Sequence, residues 1–163
     1  MSKPDLTVLI PFYNEAGNIL PLLEEVHEAL NGIAFDVVCV NDCSEDTTSE
    51  ELADAKSRWP DTVKVFNHVE RKGKSAALFT GLKSVEGTWT QLLDGDGQND
   101  VNDTARLWPV LIAGQDTGKL GIIAANEIAV TIAGLSGCNR GWRTAFGASC
   151  CAMMLLIRAV AGS

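Results

Sequence analysis

The chain of 163 residues is long enough for one domain with a real core and too short for two ordinary ones. Its net charge of -8, from 21 acidic against 13 basic residues, argues against a general binder of nucleic acid, and no basic stripe with interleaved aromatics contradicts that. Met1 to Asp5 lacks the basic and apolar regions of a secretory signal, and Cys39, Cys43, Cys138, Cys150 and Cys151 form neither a disulfide framework nor a paired zinc spacing, so a reducing, cytoplasmic setting is expected.

Leu6-Thr7-Val8-Leu9-Ile10 is a continuous β-prone run closed by Pro11, the pattern of a buried parallel strand that ends in a loop. Asn14 is placed to cap a helix whose apolar positions Ile19, Leu22, Leu23, Val26 and Leu30 recur at three- and four-residue steps, with Asn31-Gly32 as the stop. A second strand, Phe35 to Val40, runs into Asn41-Asp42-Cys43-Ser44, and a helix is predicted from Thr47 to Trp59, ended by Pro60. The third strand, Val63 to Asn67, leads through Glu70-Arg71-Lys72-Gly73 to a helix over Ser75 to Ser84. The fourth, Trp89 to Leu93, reaches an acidic loop; Asp103 can open a helix through Leu111, and Leu120 to Ala124 reads as a fifth strand.

Strands alternating with helices predict an α/β fold with a mostly parallel sheet flanked by helices. Ligands of such sheets bind beyond the carboxyl ends of the strands. The polar clusters Pro11 to Glu15, Asn41 to Asp46 and Asp94 to Gln98 each follow a predicted strand, so all three are expected on one rim.

In the third cluster, Leu92-Leu93-Asp94-Gly95-Asp96-Gly97-Gln98, an apolar run stops at two carboxylates separated by one glycine, with a neutral oxygen at Gln98. Mg²⁺ and Mn²⁺ take oxygen ligands and commonly share one or two protein carboxylates with substrate phosphates. The glycines leave room for a diphosphate. A solvated acidic turn is the plain alternative, since Asp and Gly are common turn residues. Other motifs fail: Gly73-Lys74-Ser75 has His68 where a P-loop needs its first glycine, and a calcium loop begun at Asp94 has Asn99 for its glycine and Ala105 for its glutamate. No G-x-G-x-x-G follows the first strand. His27 and His68 are expected at the surface, Cys39 in the core, and Trp89 and Trp108 in packing. Arg71, Lys72 and Lys74 could meet a diphosphate or form a solvated loop.

Together these residues resemble the family-2 glycosyltransferases of GT-A fold, in particular the dolichyl-phosphate mannose synthase-like, polyprenyl-phosphate branch. The resemblance is carried by Val8-Leu9-Ile10-Pro11-Phe12-Tyr13-Asn14-Glu15, Val40-Asn41-Asp42-Cys43-Ser44-Glu45-Asp46, Lys72-Gly73-Lys74-Ser75-Ala76-Ala77 and Asp94-Gly95-Asp96-Gly97-Gln98-Asn99-Asp100, in family order within residues 1–124. It implies a metal-dependent, inverting transfer of a hexose from a GDP- or UDP-sugar to a polyprenyl-phosphate acceptor, with Mg²⁺ or Mn²⁺ as cofactor, at the cytoplasmic face of a membrane. By the resemblance Pro11, Tyr13, Glu15, Asp42, Lys74, Asp94 and Asp96 would line the nucleotide-sugar site, with Asp42 on the base or ribose. Asp94, Asp96 and Gln98 would hold the metal. Cys43 departs from the family, which commonly has glycine or serine there. A nucleotide-sugar-binding module without turnover and a nucleotidyltransferase are the alternatives.

Beyond Ala124 the character changes. Glu127 is the last acidic residue, Arg140, Arg143 and Arg158 are the remaining charges, and the apolar segment Cys150 to Ile157 is far shorter than the roughly 20 residues that span a bilayer. The family would continue with an arginine-rich stretch and an Asp-Thr-Gly-Cys-Gly-like element on the acceptor side. Regrouping permitted codons by one base from Ala125 onward yields such a continuation, so residues 125–163 are expected to be an out-of-frame tail behind the nucleotide-sugar-binding half. A short variant with amphipathic or membrane-surface helices is the alternative.

Overall fold

A run as apolar as Leu6 to Ile10 has no face to spare for water, and in the computed structural model each of these residues, Thr7 included, is fully buried at the centre of a sheet. The structure describes residues 4–113, 122–124, 129–131 and 155–158. Its elements are β1 (Leu6–Phe12), α1 (Ile19–Ala29), β2 (Phe35–Asn41), α2 (Thr48–Arg58), β3 (Val63–Asn67), α3 (Lys74–Leu82), β4 (Trp89–Leu92), α4 (Asn102–Ala113), β5 (Ile122–Ala124), β6 (Ala129–Thr131) and β7 (Leu155–Arg158).

The sheet runs β3-β2-β1-β4-β7. β1 pairs in parallel with β2, Val8 opposite Val37, and with β4, Val8 opposite Gln91; β2 pairs in parallel with β3. Alternation along β1 divides the core. Leu6, Val8, Ile10 and Phe12 join Ile19, Leu23 and Val26 of α1, Leu52 of α2 and Trp108 of α4 on one face, while Leu9 meets Val38, Val40 and Ala77 of α3 on the other. Trp89 belongs to the first cluster, so both tryptophans pack, as expected. Cys39 is fully buried there, and burial pushes its thiol up to about 12.

The chain winds outward from β1 through β2 to β3, then returns to the other side of β1 for β4. The carboxyl end of β1 is therefore a topological switch point, where neighbouring loops diverge and leave a crevice.

Two local expectations are corrected. Asn14 caps nothing: it sits at φ +54, and α1 starts at Ile19 behind Asn18. Its side chain is drawn away because Oδ1 accepts the Glu45 N–H at 2.8 Å. As expected, Leu120 to Ala124 contains a strand, β5; it lies outside the main sheet and pairs antiparallel with β6, and a connection of four residues suits an antiparallel return and is too short for a parallel crossover. The place beside β4 is taken by β7, also antiparallel. Finally, His27 and His68 are part-buried and bonded rather than free at the surface. His27 Nδ1 lies 2.7 Å from the Leu23 carbonyl oxygen and Nε2 2.9 Å from Thr62 Oγ1, with the ring stacked on Trp59; His68 is bonded through both nitrogens and is treated below. Of the expected tail, 125–128, 132–154 and 159–163 lie outside the described residues, and with them Cys138, Cys150 and Cys151. Among the described residues no helix is long and apolar enough to cross a membrane.

Candidate functional site

The three polar clusters converge as their positions after β1, β2 and β4 require. They surround a cleft of about 280 Å³, lined by Pro11, Tyr13, Glu15, Asp42, Arg71, Lys74, Asp94 and Asp96, with Phe12, Gly73, Ala77 and Gly95 as its small or apolar walls. All seven residues expected to touch a nucleotide-sugar line this one cleft. Of the three expected metal ligands, Asp94 and Asp96 do so and Gln98 does not; the exposed Gln98 gives its backbone N–H to Asp96 Oδ1 at 3.1 Å, closing a turn on that carboxylate.

Backbone bonding explains why these loops hold their shape. The loop after β1 is stitched to the one after β2: the N–H groups of Asn14, Glu15 and Ala16 donate to Ser44 Oγ, Thr48 Oγ1 and Asp46 Oδ2 at 3.0, 3.0 and 3.1 Å. The Gly17 N–H donates to the Glu51 carboxylate at 2.8 Å, while Asn14 Oδ1 answers from the other side. Much of the two motifs is therefore architecture, which leaves Pro11, Tyr13, Glu15 and Asp42 facing the cleft. Bonds from Thr48 and Ala16, against a smaller effect of burial, hold the Asp46 carboxyl below its ordinary range.

Gly95 is buried for a different reason from the one its motif suggests. A Cβ there would stand 2.6 Å from Phe12 Cδ1 and 3.1 Å from the Pro11 carbonyl oxygen, so the glycine lets the Asp94 loop pass against the end of β1.

Charge in the cleft is divided. Asp94 and Asp96 supply its anionic side. Arg71 lies with its guanidinium carbon 3.9 Å from the centre of the Tyr13 ring, a cation–π distance, and Lys74 Nζ lies 2.5 Å from Asp94 Oδ1. Both groups of this ion pair are substantially exposed, so it is a weak and exchangeable contact.

Asp42 is the exception to this openness. Its side chain is 4% exposed, and three donors converge on it: His68 Nδ1 at 2.7 Å and the Lys72 N–H at 2.9 Å on Oδ1, and the Gly73 N–H at 2.6 Å on Oδ2. Burial pushes its carboxyl up, but these bonds together outweigh burial and hold it below its ordinary range. Two lone pairs of Oδ1 are taken, and Oδ2 keeps one for a ligand. His68 and the Arg71–Tyr13 contact were not legible as site features; the available signal was position, since His68 follows β3 directly on the same rim.

Whether these residues fit a divalent metal is a question of donor set. Among the described residues no three His, Cys, Asp or Glu side chains are close enough to form a complete cage. Two carboxylates at the mouth of a cleft that also carries cations fit an ion that takes the rest of its oxygens from a diphosphate.

The fold and the cleft define an α/β protein whose site lies at the carboxyl ends of a parallel sheet, at the point where strand order reverses. The chain belongs to glycosyl transferase family 2, whose family model matches residues 7–153. It is 32% identical over 111 residues to a dolichol-phosphate mannosyltransferase of Pyrococcus furiosus, covering 68% of this chain and 31% of that protein. It is 31% identical over 125 residues to an undecaprenyl-phosphate 4-deoxy-4-formamido-L-arabinose transferase of Yersinia pestis, covering 75% of this chain and 37% of that one. The chain thus spans about a third of the length of these relatives. Among solved structures, the mannosyltransferase PcManGT of Pyrobaculum calidifontis, in complex with GDP-Man and Mn²⁺, superposes with a TM-score of 0.60 at 24% identity, over 78% of this chain and 37% of that one. S. aureus TarS in complex with UDP-GlcNAc superposes at 0.56 and 24%, again over 78% and 37%. These neighbours share the GT-A fold with this chain.

Proposed function

We propose that the cleft binds a nucleotide-sugar, GDP- or UDP-linked, and that the protein of which this chain carries the donor half transfers the hexose to a polyprenyl phosphate with inversion at the anomeric carbon. One observation carries the reading: a single cleft at the switch point brings Asp94 and Asp96 together with the cations Arg71 and Lys74 and the Tyr13 ring, the set a nucleoside diphosphate and its metal need, with Glu15 and Asp42 as further carboxylates. The names of the relatives, which act on dolichol and undecaprenyl phosphates, support the acceptor class.

Apart from Glu15, which lines the cleft with no role assigned, each residue has a role in this reading. Tyr13 and Pro11 offer faces to the base, and Asp42 Oδ2 offers one acceptor to the base or ribose. Arg71 and Lys74 approach the phosphates. Asp94 and Asp96 are the protein ligands of a Mg²⁺ or Mn²⁺ ion; Gln98 is a third only if its side chain turns inward. Bound there, the ion supplies charge stabilisation to the departing diphosphate. Lys74 then exchanges Asp94 for a phosphate oxygen. A phosphate nucleophile is already ionised near neutral pH and needs less help from a general base than a hydroxyl would, which suits a cleft whose carboxylates are committed elsewhere.

Turnover with radiolabelled GDP-mannose or UDP-glucose and polyprenyl phosphate tests the proposal. Label transferred to the lipid supports it, whereas pyrophosphate release from a nucleoside triphosphate and sugar phosphate would favour a nucleotidyltransferase. Binding without transfer would favour the second reading, a nucleotide-sugar-binding module. The change of character after Ala124 favours that outcome for the isolated chain, and we propose that residues 125–163 are read out of frame. The family match extends across this boundary to residue 153, so the gene decides the point: third bases around codon 124 that forbid the regrouped arginine-rich continuation would overturn it.

A further inference from the structure

His68 belongs to none of the motifs, yet its side chain is only 8% exposed and both ring nitrogens are engaged: Nδ1 lies 2.7 Å from Asp42 Oδ1, Nε2 2.8 Å from Thr80 Oγ1. Its own backbone N–H donates to the Asn41 carbonyl at 2.9 Å, which fixes the ring's root to the sheet. An ionised carboxylate has no proton to offer, so Nδ1 carries the hydrogen; in the neutral ring Nε2 then accepts from the Thr80 hydroxyl.

What Asp42 does with its other bonds gives this arrangement a purpose. It holds the N–H groups of Lys72 and Gly73, the turn from which α3 departs. Gly73 has φ +88, and its carbonyl accepts the Ala76 and Ala77 N–H groups at 3.0 and 3.1 Å, the first bonds of the helix. Arg71 precedes this turn and Lys74 follows it. The cations that line the cleft are thus carried on a turn whose two central amides are held by Asp42, and Asp42 is held from behind by a ring braced against Thr80 in the last turn of α3.

We infer that His68 is a positioning residue for diphosphate recognition: acting through Asp42, it fixes the turn that presents Arg71 and Lys74 to the cleft. The inference rests on the reading of the cleft as a nucleoside-diphosphate site. Without the imidazole, Oδ1 keeps only the Lys72 N–H, so the turn is held less firmly and Arg71 and Lys74 lose their fixed placement against the phosphates. Oδ2, still held by the Gly73 N–H, keeps the acceptor offered to the base or ribose, so the loss should fall on the phosphate part of the ligand.

The test compares two ligands on the full chain in Mg²⁺ buffer: GDP or UDP by calorimetry, and guanosine or uridine by ligand-detected NMR. His68→Ala is expected to weaken the diphosphate about tenfold and to leave the nucleoside within about twofold. His68→Asn, whose amide stands near the place of Nδ1 and can still donate to Asp42, is expected to recover most of the loss. His68→Gln reaches toward Thr80 instead and should not. The Asn and Gln variants decide the matter should the Ala variant fail to fold. Equal losses for nucleoside and diphosphate, or Asn and Gln variants that bind the diphosphate alike, would overturn the inference while leaving the nucleotide reading intact. Wild-type chain that binds neither nucleotide would overturn the reading and the inference with it.

Discussion

Cys43 sits at φ +59, in the left-handed region that costs an ordinary residue about 1–2 kcal/mol, and its Sγ has only a long contact to the Val69 carbonyl, 3.7 Å away. Of the glycine or serine that the resemblance leads one to expect here, only glycine would relieve that backbone cost. Cys43→Gly is expected to be neutral or stabilising by up to about 1 kcal/mol, and Cys43→Val, β-branched at a positive φ, to destabilise by about 1–2 kcal/mol in urea unfolding. Asp42 supplies the pH prediction. Its carboxyl is held below the ordinary range in the folded chain, so the folded state binds fewer protons there than the unfolded one as pH falls toward about 4. Its contribution is complete above the unfolded value and is lost as pH drops through the folded one. Asp42→Asn, whose NH₂ would face one of the converging donors, should cost about 1–3 kcal/mol at neutral pH. Thermal melts from pH 7 downward should show the gap between wild type and variant constant to about pH 5, then narrowing. A gap independent of pH would show that the carboxylate's charge contributes nothing to holding the turn.

At the scale of elements, the loop after β4 is where packing and chemistry meet. Gly95 lets Asp94 and Asp96 reach the cleft past Phe12. Gly95→Ala forces the ring or the loop aside at a cost of about 1–3 kcal/mol, the range for overpacking, and should weaken metal-dependent nucleotide binding by crowding, whereas Gly97→Ala, with open space around the added carbon but φ +70, carries only the backbone cost of a left-handed residue, about 1–2 kcal/mol. Paired melts and calorimetry on the two variants check this. The elements themselves were legible because β1 and β2 are predominantly apolar runs, interrupted by Thr7 in one and by Asp36 in the other, α1 repeats apolar residues at helical steps, and α2 is rich in Glu and Ala and stops before Pro60; their observed ends lie close to the expected ones. The misreadings have physical causes. Asn14 has the composition of a helix cap but spends its side chain on a neighbouring loop, a tertiary choice with no local trace.

For the molecule as a whole, the rim was legible and its inner bonding was not. Parallel strands place everything after their carboxyl ends on one side, so four loops converge whatever their sequence, and the seven expected nucleotide-sugar residues met in one cleft. Gln98 did not join them because the same spacing that suggests a ligand also closes a turn on Asp96. His68 escaped because a lone histidine carries no pattern; only the fold brings it between Asp42 and Thr80. The central claim is that this cleft is a metal-assisted nucleoside-diphosphate site formed by Asp94, Asp96, Arg71 and Lys74. Calorimetric titration of GDP and UDP into the chain, with and without Mn²⁺, tests it most directly. One nucleotide should bind, about tenfold or more tightly with Mn²⁺, and Asp94→Asn with Asp96→Asn should abolish the metal's effect while retaining weak metal-free binding. Binding of neither nucleotide, or Mn²⁺ enhancement that survives the double variant, would contradict the account.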